Sequence, residues 1–156
     1  NNFLAKTGIR TFEAAAYLRR CGADVTRVRK IMRNDVSAYK ARAEAIQNAE
    51  LYHECNAIGI LPSKNLDMPT IIGAQASNEL LNMIGVKASF VLTDYNNIIY
   101  ISARSIDEVN VQIIMERLGG GGHMNIAGAQ LAGITAEEAK TKLKETLDAM
   151  IAEGAI

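Results

Sequence analysis

The stretch that most limits how this chain can fold is Gly119-Gly120-Gly121-Gly122-His123-Met124-Asn125-Ile126-Ala127-Gly128. It follows a segment in which Val109, Ile113, Ile114 and Leu118 recur at helical spacing, with Asp107 placed to cap the start. The sequence therefore predicts a helix that runs into four glycines. One left-handed glycine is enough to end a helix, so the other three need another reason. Glycines in series let backbone N–H groups converge with no Cβ in the way, which suits an anion such as a phosphate, and His123 offers a further donor at the rim. A flexible linker is the competing reading of any glycine run. This run is short, contains no serine, and lies between an amphipathic helix and a strand-like apolar stretch, Ala129 to Leu131.

Ahead of that stretch the chain reads as helices and then as an α/β layer. Thr11 is placed to cap a helix through Arg20, with Gly22 just past its end, and Asp24 to cap a short second helix through Met32. A third helix is expected from about Asp35 to His53, rich in Ala, Glu, Lys and Arg and reading as a connector between two bodies. From Cys55 the period changes. Ala57 to Leu61 reads as a strand ended by Pro62; a polar loop from Ser63 to Met68 leads to Pro69 and a helix from about Thr70 to Ile84 that Gly85 stops. Val86 to Thr93 and Ile98 to Ser102 form a hairpin around a polar four-residue turn, Asp94 to Asn97. The glycine-stopped helix and the strand near Ala129 follow, and Thr135 with Glu138 makes a capping box for a last helix ending near Gly154. The expected fold class is α/β: a helical N-terminal segment (1–34), a connector helix (35–54), and a domain over 55–156 with a mixed sheet flanked by helices.

Composition sets further bounds. With 49% hydrophobic residues among 156 and no apolar run near the roughly 20 residues that span a bilayer, the chain reads as globular, with no membrane contact of its own. Trp is absent, so the core must come from aliphatic side chains, Ala and Met. Cys21 and Cys55 are isolated and read as buried free thiols of a reducing, cytosolic compartment. The zero net charge hides an asymmetry: residues 1 to 42 hold ten basic against three acidic side chains, a net +7, and the remainder is −7. The basic residues are interleaved with apolar helix faces and no aromatic is spaced to stack on bases, which favours a solvated face over a nucleic-acid surface. A third reading carries more weight: the basic segment neutralises acidic residues in a part of the protein outside this chain.

Two polar constellations could carry chemistry. Ser102-Ala103-Arg104-Ser105 closes the second hairpin strand, and an Arg at a strand mouth is placed to grip a phosphate in a bidentate way; an exposed Arg at a strand end is also common without any role. Of the two histidines, His53 falls late in the connector helix and reads as a surface residue, and His123 as a ligand contact or a structural residue. No Asp-x-Asp or His-x-x-His spacing occurs, so a paired-metal centre finds no donor set in this chain.

The string from Gly120 to Gly128 resembles the Gly-Gly-Gly-His-x-x-Ala-Ala-Gly signature of the domain that follows the catalytic domain in the DHH (Asp-His-His) superfamily of phosphodiesterases, with Ile126 in place of the first Ala. The Ser-x-Arg-Ser string at 102 to 105 is similar to one that precedes the signature there and contributes phosphate contacts. Asn1-Asn2-Phe3, Lys6-Thr7-Gly8 and Arg10-Thr11-Phe12-Glu13-Ala14-Ala15 resemble the end of the catalytic domain in the membrane-anchored members that hydrolyse cyclic di-AMP. The resemblance implies the substrate-binding half of a metal-dependent phosphodiesterase, inactive alone, in which Ser102, Arg104, Ser105, Gly120, Gly121, Gly122, His123 and Asn125 bind substrate and no residue of this chain is catalytic. It further implies no cofactor held here, paired Mn²⁺ ions in a half of the polypeptide lying upstream, and a hinge near 35–53. Expected partners are a cyclic dinucleotide or short oligonucleotide phosphate, that other half, and a second copy of the chain; the expected place is the cytoplasmic face of a bacterial membrane. Within the superfamily, a soluble nuclease of short RNA or a RecJ-like exonuclease shares the signature. Outside it, the associated domain also serves as a nucleic-acid-binding module, as in alanyl-tRNA synthetases, a role that the −7 charge of residues 43 to 156 disfavours.

Overall fold

A computed structural model of the chain describes residues 7–33, 35–106 and 108–156. The expectations placed on Asn1 to Lys6 and on Asp107 lie outside the described residues. The chain divides into two compact units, the first ending at Asp35 and the second running from Val36 to Ile156.

In the first unit, helix α1 spans Ile9–Arg20. Thr11 does not cap it; Gly8 takes that position, and the Thr11 amide, inside the first turn, donates to the Gly8 carbonyl at 3.0 Å. Its end is as the sequence predicts: Gly22 is left-handed (φ 90°), with the Gly22 amide bonded to Arg19 O and the Ala23 amide to Leu18 O, the paired bonds that close a helix C-terminus. Helix α2, Val25–Ile31, starts on Asp24, whose carboxylate accepts from the Thr26 and Arg27 amides. Neither helix buries a residue. Cys21 is exposed and Cys55 half-buried, both as free thiols, so the expected burial holds for neither.

The second unit begins with a correction. The long connector is instead helix α3, Val36–Gln47, followed by a short strand β1, Glu50–Tyr52. Ala41, Arg42 and Ala45 on α3 are buried, so this helix is part of the second unit's core. Strand β2 (Asn56–Leu61), helix α4 (Pro69–Leu80), strands β3 (Ala88–Tyr95) and β4 (Ile98–Ser105), helix α5 (Val111–Arg117), strands β5 (Gly121–His123) and β6 (Ile126–Ala132), and helix α6 (Ala136–Ala152) follow. The capping box of α6 forms as expected between Thr135 and Glu138.

The six strands make one sheet in the order β1-β2-β3-β4-β6-β5. Only β2 and β3, joined through α4, run parallel, so the sheet is mixed. The β3–β4 turn is tighter than four residues: Tyr95 pairs with Ile98, and Asn96 and Asn97 alone turn the chain at φ 53° and 60°, the both-positive turn that Asn tolerates.

The two faces are covered unequally. On one, α5 and α6 close a core that includes Phe90, Leu92, Ile99, Ile101, Ile114 and Leu143. On the other, α3 and α4 pack Ala45, Ile72, Ala76 and Leu80 against Ala57, Leu61 and Val91. Strand β3 lies under helices on both sides and is buried from Ala88 to Thr93, whereas β4 and β6 alternate. Ile126 and Gln130 on β6 are exposed, so the outer part of the α4 face is open. Arg42 ties α3 to α4, donating to Gln75 Oε1 at 3.0 Å and pairing with Glu79 at 3.0 Å, which takes it out of the expected solvated basic face. Inside, the hydroxyls of Ser77 (α4) and Ser89 (β3) lie 2.9 Å apart, and the Ser77 hydroxyl lies 3.1 Å from the Ser102 carbonyl, its acceptor. Helix α4 is thereby fixed to the strand that carries the candidate site.

Candidate functional site on the open face of the sheet

The glycine run is divided between three tasks. Helix α5, capped by Asn110 through the Gln112 amide at 3.1 Å, ends at Leu118. Gly119 then turns left-handed (φ 77°), its amide donating to Glu116 O, while the Gly120 amide donates to Met115 O at 2.8 Å. The Gly120 N–H is thus committed to the helix end, which corrects its expected place among phosphate donors. From Gly121 the chain is a strand rather than a loop: Gly121 pairs with Gly128, Gly122 with Ala127 and His123 with Ile126. A Cβ on Gly120 would meet the Ala129 Cα at 2.6 Å, and one on Gly122 the Ala127 Cα at 2.5 Å, so both are glycines because β6 passes against them. Gly121 has nothing within 4 Å of where a Cβ would stand. It is the one glycine of the run that needs neither close approach nor positive φ, and it opens onto solvent. As the last strand of the sheet, β5 also presents a row of backbone groups away from β6.

Register places the side chains in three rows across the open face. Arg104, Ile126 and His123 form the first, Ser102, Gly128 and Gly121 the second, Tyr100 and Gln130 the third. Opposed residues share a face, and rows two residues apart along a strand are separated by about 7 Å. Of the residues expected to bind substrate, Ser102, Arg104, Gly121 and His123 therefore share this face. Ser105 and Asn125 are not. The buried Ser105 hydroxyl donates to Met124 O at 3.3 Å, its amide donates to Asn125 O at 3.1 Å, and Asn125 Nδ2 returns to Ser105 O at 3.4 Å. These two residues lock the β5–β6 turn to the end of β4 and support the site from behind.

Arg104 is the charged member of the arrangement. It is half-buried, its Nη1 donates to the Ala103 carbonyl at 2.8 Å, and burial pushes the guanidinium below its ordinary pKa. The other arginines of this unit pair with carboxylates, Arg42 with Glu79 and Arg117 with Glu153. Among the described residues, no carboxylate meets Arg104. A guanidinium remains charged in proteins, so a partly desolvated one without a counter-ion favours any anion that reaches it.

Beside this row lies a groove of about 510 Å³, whose lining includes Thr70, Tyr100, Ser102, Gly120, Gly121 and Gln130 and no charged side chain. Tyr100 and Gln130 were not singled out from sequence. Extending the alternation of Arg104 and Ser102 by two residues would have found Tyr100, and Gln130 is the one polar residue between Ala129 and Leu131. Thr70, at the start of α4, reaches the groove only through tertiary packing.

His53 is displaced from its expected place in a helix. It sits in the β1–β2 turn at φ 48°, with Nε2 2.7 Å from Asp148 on α6, an oxygen that also accepts from the Tyr52 hydroxyl at 2.7 Å. Among the described residues, no group of three or more His, Cys, Asp and Glu side chains is gathered to hold a metal ion. Nor, among them, is any helix long and apolar enough to cross a membrane.

Comparison with known proteins gives the family of the chain. Residues 58–153 match the DHHA1 domain. Over 149 residues, 95% of its length, the chain is 43% identical to the cyclic-di-AMP phosphodiesterase PdeA of Listeria monocytogenes, of which it spans 22%. Over 149 residues, 94% of its length, it is 45% identical to the cyclic-di-AMP phosphodiesterase GdpP of Bacillus subtilis, of which it spans 23%. Among solved structures, an exopolyphosphatase-related protein from Bacteroides fragilis superposes with a TM-score of 0.76 at 21% identity, covering 92% of this chain and 44% of that one. The chain thus spans less than a quarter of the length of the curated relatives named here, and the structural likeness is one of fold.

Proposed function

Because the chain belongs to the DHHA1 domain family, we propose that it is the substrate-binding part of a phosphodiesterase that hydrolyses cyclic di-AMP to its linear dinucleotide. Hydrolysis is carried out by metal ions, manganese in this reading, held by a part of the protein outside these 156 residues. This chain holds the phosphate. Arg104 supplies the charge, Ser102 and His123 supply hydrogen bonds, and Gly121 lets the ligand approach the backbone of β5, whose outward edge supplies further donors. Attachment of the longer protein to the cytoplasmic face of a membrane belongs to the same proposal.

The observation that carries this reading is Arg104, half-buried and, among the described residues, without a carboxylate, one row from the only unobstructed glycine of the run. The names of the relatives support the substrate class. Calorimetric titration of the chain with cyclic di-AMP and with its linear product, at low salt and without metal, tests it. Binding in the micromolar to millimolar range, lost in Arg104→Ala and weakened in His123→Ala, is the expected result. A folded chain that binds neither ligand would overturn the phosphate role.

A further inference from the structure

The groove continues past the phosphate row, and its far end has a different chemistry. Tyr100 and Gln130 face each other across β4 and β6 in the third row. Tyr100 is half-buried, with the Tyr95 ring on one flank at a centroid distance of 6.4 Å and the groove on another. Gln130 is exposed, and among the described residues no hydrogen-bond partner meets its side-chain amide. Between this row and Arg104 the floor is small: Ser102, Gly128 and Gly121 leave the space over the second row clear. A Cβ on Gly128 would stand 2.9 Å from the Ile101 carbonyl, so that part of the floor is held bare by the backbone beneath it.

We infer that Tyr100 and Gln130 form the base subsite of this groove and make it select adenine over guanine. The inference rests on the phosphate reading above: a phosphate seated over the second row, within reach of Arg104 and His123, places its sugar and base over the third, about 7 Å further along the strands. An aromatic side chain there offers a stacking face that any base can use. The amide of Gln130 offers one donor and one acceptor side by side, which complements the N7 acceptor and N6 donor of adenine. Guanine presents two acceptors on the same edge and is met best by Arg or Lys; among the described residues, no cation lines the groove. Stacking supplies affinity and Gln130 the selection.

The test is an NMR-detected titration of the full chain with the linear dinucleotides pApA and pGpG, for wild type, Gln130→Met, Tyr100→Phe, Tyr100→Ala and Arg104→Ala. Wild type is expected to bind pApA about tenfold more tightly than pGpG, with the Gln130 side-chain amide shifting only on adding pApA. Gln130→Met should bring the two affinities to within about twofold, Tyr100→Ala should weaken both about tenfold, and Tyr100→Phe should retain them. A wild type without preference, or a Gln130→Met variant that keeps the preference, overturns the base subsite while leaving the phosphate site standing. Binding unchanged in Arg104→Ala overturns the phosphate reading and this inference with it.

Discussion

Gly120 and Ala129 approach so closely that a β-carbon on residue 120 would stand 2.6 Å from the Ala129 Cα and 2.7 Å from its Cβ. Strand β6 and the end of α5 are in backbone contact there, and the glycine is structural. Gly120→Ala is therefore expected to destabilise the second unit by about 1–3 kcal/mol through overpacking, whereas Gly121→Ala, with open space around its Cβ, should stay within about 0.5 kcal/mol of wild type. Thermal denaturation of the two variants gives the comparison; equal melting temperatures would contradict the division of tasks along the glycine run. The same Gly121→Ala chain should bind a phosphate ligand more weakly than wild type despite its intact fold.

Arg104→Lys separates charge from geometry. The substitution retains one positive charge but replaces a planar fork with a point donor, and it gives up the donation to the Ala103 carbonyl that fixes the guanidinium. Affinity for the linear dinucleotide should fall by about tenfold, corresponding to about 1.4 kcal/mol, and should depend more steeply on salt. Lysine and arginine variants of equal affinity would mean that only net charge matters at this position.

Asp148 gives the second unit an acid limb. Its carboxylate is held below the ordinary value first by the hydrogen bond with His53 and then by that with Tyr52. A carboxyl whose folded-state pKa is depressed stabilises the fold at pH above its unfolded value, about 3.9, and loses that contribution as pH falls through the folded value. Asp148→Asn should accordingly flatten the fall of melting temperature between about pH 5 and pH 2. A variant whose acid limb is as steep as that of wild type would show that Asp148 is not linked to folding.

The Asn96–Asn97 turn sets the register of the central hairpin. Both residues hold positive φ, a conformation that costs a β-carbon-bearing residue other than Asn or Asp roughly 1–2 kcal/mol. Asn97→Ala should lower stability by about 1 kcal/mol and Asn97→Gly should raise it by a few tenths, measured by urea denaturation with an unchanged m-value.

What the sequence disclosed and what it hid follow from the range of the interactions involved. Gly22 and Gly119 as helix stops, Asp24 as a cap and the Thr135–Glu138 box are decided within four or five residues, and each stands where local chemistry puts it. Thr11 was misplaced because its capping chemistry competes with its ability to sit inside a first turn. Strand β1 escaped notice because three residues of edge strand, Glu50 to Tyr52, follow a run of helix formers and are specified by β2 across the sheet. Strand β5 was hidden more deeply: glycines carry no strand propensity, and what makes Gly121 to His123 extended is β6. Among the candidate residues, Ser102, Arg104 and His123 stood out because their chemistry is visible in one dimension, and register sets them on one face. Ser105 looked the same in sequence, yet alternation turns it to the buried face, and Thr70 belongs to the groove only because α4 begins there.

On β4, the residues on the open face of the sheet, Tyr100, Ser102 and Arg104, alternate with the residues that face the core, Ile99, Ile101 and Ala103. The candidate site and the core are thus written on one strand in alternate letters, with the Asn96–Asn97 turn setting the reading frame. A slip of a single residue would carry Arg104 toward the core and Ile101 into water together. A chain with a wrongly assembled open face is then also a chain with an exposed core, so the stability of the fold proofreads the arrangement of that face.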